Sequence, residues 1–449
     1  MRTFLLPLVF LLLGLGQAQA AEALRLDTLI KGELSAGKKS IAVPPGSYTV
    51  HGSIILSDLK DLEIVAAPGV TVVASQNEPV FVVTRSSGVL IKGFAIHSRD
   101  PRRPESPIAF GFSSGRYVES AEHKTTTAIK IFDTERVTVA DLSVKGFYRG
   151  IYITSARTPT REVTVRNCTV SDCGYFSIAA SKVLKGGQEH PLTNIRFLDN
   201  EVRGSEMGPI FIGVKNGTMS GNKVLKNIIG IRIEQSDHNL ISGNTVSQNL
   251  KMGIWVYNHS SYNTITRNLI TDNNLQAERI KKIARKHGMD ENYLPGDLVC
   301  SDVPREITKA YGPAARSNPV LAEEPDFWPY PTAYEHITPG SKFGRQSAED
   351  YKKFWGIYFC QWSGVGIELR HAASHNQITE NRIYNTAPAS PATGYMTYGI
   401  RISQLGLMKD TELYASRGNV IRNNQIRNMV KGEILDDNKR FNPKIKNEY

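Results

Sequence analysis

The sequence predicts an all-β fold, a single right-handed parallel β-helix with three short strands per coil, and three observations carry that expectation. The first is a constant period. Asn200, Asn222 and Asn244 stand 22 residues apart and Asn268 follows after 24, and a repeat in the low twenties is the mark of a solenoid. The second is the grain of each repeat, three stretches of three to five residues separated by Gly, Asn, Asp or Ser. Such stretches are too short for helices and suit strands joined by turns. The third is a pair of apolar columns. Phe197, Met219, Ile241, Ile265, Ile378 and Ile421 lie three positions before the repeating Asn, and Val202, Val224, Val246, Ile270, Ile383 and Ile426 lie two positions after it. Stacked coils would turn these columns into a continuous core that no single coil can supply. The Asn column would become a ladder of side-chain amides that satisfies turn backbone groups. A leucine-rich repeat has a similar period but needs Leu-x-x-Leu-x-Leu, which is absent.

The remaining segments fit around that repeat. Met1–Arg2, the apolar run Thr3 to Leu15 and Ala18-Gln19-Ala20 read as a signal peptide over residues 1–20. No later segment is apolar enough for a membrane span. About 430 residues then remain, enough for one long repeat structure. Residues 21–274 form the first part of the β-helix, with a cap over its open end near residues 24–40. Residues 98–127 break the pattern as a loop. Residues 275–355 form an insert, partly helical, that serves as a lid or groove wall or lies along the barrel flank. The β-helix resumes over 356–438, and 439–449 is a basic tail, frayed or capping. Four cysteines suit an oxidising compartment. Cys300 and Cys360 bracket the insert and a bridge there would staple it. Cys168 and Cys173 are close enough to close a small loop, although spacing alone does not prove a bond.

The rows Gly230-Ile231-Arg232-Ile233 with Asn239-Leu240-Ile241-Ser242-Gly243-Asn244, and their copies from Gly253 and Gly366, resemble the repeats of the pectate-lyase-like right-handed β-helix superfamily. Val43-Pro44-Pro45-Gly46 is similar to the first turn of many members. The tandem rows look most like periplasmic mannuronan C5-epimerases and the β-helix proteins of nitrous-oxide-reductase maturation. The resemblance implies the fold. It does not imply one activity, because lyases, epimerases, hydrolases and non-enzymatic maturation proteins share it. The epimerases' Asp-Pro-His-Asp and the polygalacturonases' Asn-Thr-Asp and Gly-His-Gly are missing.

Alternate residues of the strand after each Gly-Ile point outward. Stacking places Phe211, Arg232, Trp255, Glu368 and Arg401 in one outer column and Gly213, Glu234, Tyr257, Arg370 and Ser403 in the next. Trp255 and Tyr257 offer flat faces for sugar rings, and Arg232, Arg370 and Arg401 suit carboxylates. His259 and His371 follow their strands closely and stand at the rim. A plain outer sheet laced by Glu–Arg pairs is the competing reading.

The formal charge of +11 favours an acidic partner. For an exported chain that is a uronate-containing polysaccharide; nucleic acid is not expected and no binding motif for it is present. Lyase or C5-epimerase chemistry would draw its catalytic groups from Glu234, Tyr257, Glu368 and Arg370, with Arg232, Trp255, His259, His371 and Arg401 binding substrate. An inverting hydrolase using Glu234 and Glu368 and a non-catalytic binding or assembly factor are the alternatives. No metal site and no cofactor is expected, and the oligomeric state is open.

Overall fold

The computed structural model describes residues 24–74, 78–99, 127–182, 190–205, 207–227, 229–249, 251–274, 364–386, 396–403, 415–436 and 447. The stretches expected above to be a signal peptide, the interior of a loop over 98–127, an insert with Cys300 and Cys360, and a tail (apart from Asn447) lie outside them.

Within those residues every named strand pair is parallel. The strands stack into three sheets of 12, 13 and 11 strands, here sheets A, B and C. The chain visits the sheets in rotation. One coil runs Ile229–Glu234 in sheet C, Leu240–Ser242 in sheet B and Thr245–Ser247 in sheet A, and the next repeats it as Met252–Tyr257, Thr264–Thr266 and Leu269–Thr271. Both apolar columns point into the lumen and are buried along their whole length. At one end the helix Leu26–Ser35 turns Leu26 and Ile30 into the core. An uncovered coil there would expose apolar lumen and unpaired strand edge.

Each of the three corners carries its own polar ladder. The Asn200 column sits between sheets B and A. Asn200, Asn222, Asn244 and Asn268 each donate Nδ2 to the Oδ1 of the next ladder Asn at 2.9 Å, the last reaching Asn381, which bonds Asn424 in the same way. A second ladder, Asn227–Asn249–Asn273, runs between A and C, and a third, Asn239–Asn263–Asn376–Asn419, between C and B. These buried amides therefore serve the backbone and each other. Asn447, 23 residues beyond Asn424, adds one more step: its Oδ1 accepts from the Asn424 backbone N–H at 3.0 Å.

The repeated glycine has an equally concrete role. A Cβ on Gly230 would lie 2.2 Å from the Gly253 carbonyl oxygen and 2.6 Å from Val246 Cγ1, so only glycine lets the A-to-C corners of successive coils stack.

The small loop considered for Cys168 and Cys173 is not closed, because both thiols are buried and free. They occupy the positions next in line to two ladders. The Cys168 backbone N–H donates to Asn200 Oδ1 and that of Cys173 to Ser205 Oγ. Burial pushes both thiols up to about 12, leaving roughly 10⁻⁴ as thiolate at pH 8. Iodoacetamide at that pH should leave both unmodified in the native protein and modify both after denaturation, as peptide mass mapping would report. Native-state labelling of either would contradict this placement.

Candidate functional site

The outer columns of sheet C are assembled by strand register. Arg232 pairs with Trp255, Trp255 with Glu368 and Glu368 with Arg401. Beside them Glu234 pairs with Tyr257, Tyr257 with Arg370 and Arg370 with Ser403. The strands on either side of residues 275–363 are thus direct neighbours, with rungs about 4.8 Å apart. Two expected members fall elsewhere. Arg232 pairs with Ile210 and Glu234 with Ile212, whereas Phe211 pairs with Ile233 and turns inward, its ring 5.0 Å from that of Phe197. The reason is the 22-residue period, which sets Gly208 beneath Gly230 and so carries Phe211 onto an inward position and Gly213 beyond the column.

The side chains interlock. The Arg232 guanidinium donates to the Glu234 carboxylate, and Asn258 Nδ2 donates to the other Glu234 oxygen at 3.3 Å. Arg232 also lies over the Trp255 ring at 5.0 Å and reaches Met207 Sδ at 3.7 Å. Burial works to lower the Arg232 pKa, but Glu234, Tyr175 and Tyr257 outweigh it and hold it above the ordinary value. The Trp255 and Tyr257 rings stand 4.6 Å apart, and Tyr257 meets the His371 ring at 4.9 Å. Ser403 Oγ donates to Glu368 Oε1 at 2.7 Å, while Glu368 Oε2 is buried and accepts no hydrogen bond from a described residue. Glu234 and Glu368 stand two rungs and two residues apart, about 12 Å between Cα atoms.

Although they point away from the lumen, Trp255, Glu368, Arg370, His371 and Arg401 are all at most 4% exposed. Glu234 and Tyr257 are half-buried and His259 is exposed. His259 is joined to His371 through the backbone, its N–H donating to the His371 carbonyl at 2.8 Å. The rim is therefore formed by Glu234, Tyr257 and His259, with the other charged groups behind it.

Two contributors escaped the sequence reading. Asn258 orients the Glu234 carboxylate, as Ser403, already expected in the outer column, orients that of Glu368. On the coils before Arg232, an aromatic group joins the same sheet face: Tyr148 stacks on Tyr175 at 5.4 Å, Tyr152 stacks on Phe176 at 6.4 Å, and Arg149 lies over Tyr148 and Tyr152. The register Tyr152–Ala179–Ile210–Arg232 puts Tyr152 in the Arg232 column. The coils from Tyr152 to Ala179 and from Ala179 to Ile210 run 27 and 31 residues, so counting back by the 22-residue period does not reach it.

Solved structures share this architecture. DFA-IIIase from Arthrobacter chlorophenolicus A6 without its lid is similar at 12% identity and a TM-score of 0.54, over 94% of this chain and 91% of that one. A mutant of the same enzyme in complex with DFA-III gives 12% identity and 0.53, over 90% and 81%. The enzymatically active domain of tailspike protein 2 from bacteriophage CBA120 gives 11% identity and 0.50, over 86% of this chain and 44% of that one. A family model described as periplasmic copper-binding protein (NosD) matches residues 73–282. The chain shares the parallel β-helix fold with these structures. No curated protein sequence matches it.

That family description names copper. Among the described residues no three His, Cys, Asp or Glu side chains converge as a ligand set. Cys168 and Cys173 are held as neutral buried thiols, whereas a metal binds thiolate. The described residues do not fit a copper centre. They do bring together a buried Arg–carboxylate array and a half-buried phenol, a combination suited to acid–base chemistry on an anionic group.

Proposed function

We propose that this chain is an exported, carbohydrate-active protein that acts on an acidic, uronate-containing polysaccharide by proton abstraction, as a lyase or a C5-epimerase. The observation that carries the reading is the position of Tyr257, half-buried at the rim between Glu234 on the previous rung and Arg370 on the next. Arg370 and Arg232 would neutralise the substrate carboxylate and so stabilise the carbanion formed beside it. Tyr257, between Glu234 and Arg370, is placed to take or return the proton. His371, against the Tyr257 ring, and His259 would relay that proton, and Trp255 would support a sugar ring.

Export rests on the pattern of residues 1–20 and agrees with the periplasmic description of the matching family model. The net charge of +11 supports an anionic polymer. Among the described residues no helix is long and apolar enough to cross a membrane. The hydrolase alternative is less well supported. Glu368 is turned to Ser403 on the far rung and Glu234 is held by Arg232 and Asn258, so neither faces the other across a bond.

A second reading, a non-catalytic binding or assembly factor, is favoured by one observation, the burial of Trp255, Glu368, Arg370 and Arg401. An absorbance assay near about 235 nm on polygalacturonate and alginate separates the readings, since elimination after proton removal leaves a conjugated double bond. A rise supports a lyase. A flat trace with deuterium entering C5 supports an epimerase. A flat trace with no exchange favours the binding reading and removes the lyase and epimerase ones.

A further inference from the structure

The corner between sheets C and B holds a second concavity, formed over four coils at the N-terminal end. Three of these coils turn on two residues each: Asp58–Leu59, Arg85–Ser86 and Asp133–Thr134. The fourth, between Thr154 and Thr160, uses five. Its extra residues are drawn back onto Asp133, whose carboxylate accepts the backbone N–H groups of Ala156, Arg157 and Thr158 at 2.7 to 3.2 Å. The longer turn becomes an end wall. It closes a hollow of about 500 Å³ reaching from Asp58 to Arg161, within the size range of small-molecule sites, about 300–1,000 Å³.

The lining is ordered by ion pairs that each leave a face unused. Arg85 donates Nε and Nη2 to the Asp58 carboxylate at 2.9 and 2.7 Å, and Arg161 donates to Glu135, its Nε at 2.7 Å. Among the described residues neither guanidinium's Nη1 finds a hydrogen-bond acceptor. Arg85, with help from Ser57, holds the Asp58 carboxyl down at about 2, so it stays an acceptor across the ordinary pH range. Lys60, Arg85 and Arg161 balance Asp58, Asp133 and Glu135 charge for charge. A strongly anionic ligand would find no net attraction there. An apolar ligand would find only Leu59 and Pro159 to pack on. What fits is a molecule that presents many hydroxyls, takes N–H donors and carboxylate acceptors in alternation, and lays a C–H face on a small apolar wall.

The geometry points to a second binding site in this hollow, for a neutral oligosaccharide. It is independent of the sheet C patch and does not rest on the reading given to that patch. The test is hydrogen–deuterium exchange and calorimetry on the full chain with cellohexaose, maltohexaose, inulohexaose and hexagalacturonate at millimolar concentration. At least one neutral hexamer should protect segments 58–61, 85–87, 133–136 and 155–161. Arg85→Ala and Arg161→Ala, both at exposed positions, should weaken that binding at least ten-fold with the melting temperature unchanged, and Tyr257→Phe should leave it unaltered. Protection by hexagalacturonate alone, no protection by any neutral hexamer, or unchanged binding by both arginine variants would overturn the proposal.

Discussion

Asn244→Ala should destabilise the β-helix by about 3–9 kcal/mol, the loss expected when three buried polar groups lose their partners at about 1–3 kcal/mol each. Asn244 Oδ1 accepts both the backbone N–H and the Nδ2 of Asn222 at 2.9 Å. Its Nδ2 donates to the Met219 carbonyl and to Asn268 Oδ1, also at 2.9 Å. Alanine strands the Asn222 donors and the Met219 carbonyl at a corner that water does not reach, since Asn244 is fully buried. Coils in a solenoid gain their stability from their neighbours, so the damage should spread to the coils above and below before it reaches the ends. Urea denaturation with hydrogen exchange would show a lowered midpoint and faster exchange centred on residues 218–247. Lys223→Ala, one residue from the ladder but exposed, should change stability by less than about 0.5 kcal/mol. Equal effects from the two substitutions would deny the ladder its structural role.

That ladder was legible because its period is exact enough to count and its neighbours are apolar. The inward columns followed for the same reason, and Ile421 and Ile426 fall where the count places them. The other two ladders were equally countable: Asn227, Asn249 and Asn273 stand three positions after Val224, Val246 and Ile270, and Asn239, Asn263, Asn376 and Asn419 stand two positions before Ile241, Ile265, Ile378 and Ile421. Asn447 was within reach too, at 23 residues beyond Asn424, yet it lies in a stretch without the surrounding row. The outer columns were right from Arg232 onward because Gly230, Gly253 and Gly366 mark their rows. They slipped by one at Phe211 and Gly213, where the row begins with Gly208-Pro209. The burial of the patch could not be read. Strand alternation says which way a side chain faces and does not say whether that side meets water. The bonds from Asn258 and Ser403 were equally hidden, because they run between coils whose side chains sequence spacing does not orient.

Tyr257→Phe should lower turnover on the responsive acidic polymer by about 10²- to 10⁴-fold, the usual cost of removing a positioned acid or base. This variant is the most discriminating one the site offers. Phenylalanine keeps the ring that meets Trp255 at 4.6 Å and His371 at 4.9 Å, so folding and ring contacts should survive. Glu234→Gln is a poorer test. It removes the charge facing Arg232, whose side chain is only 6% exposed, and an uncompensated buried cation costs about 3–5 kcal/mol. Lost activity there would confuse chemistry with stability. Arg370→Ala suffers in the same way, because Arg370 is 3% exposed. For Tyr257→Phe the division between kinetic constants decides the role. A proton-transfer group lowers kcat and kcat/KM together, whereas a sugar platform raises KM and leaves kcat alone. If only KM rises, Tyr257 serves with Trp255 as a stacking surface, and the proton must be taken by another group. Glu368 would then be the first to test, through Glu368→Gln, because its Oε2 accepts no hydrogen bond from a described residue.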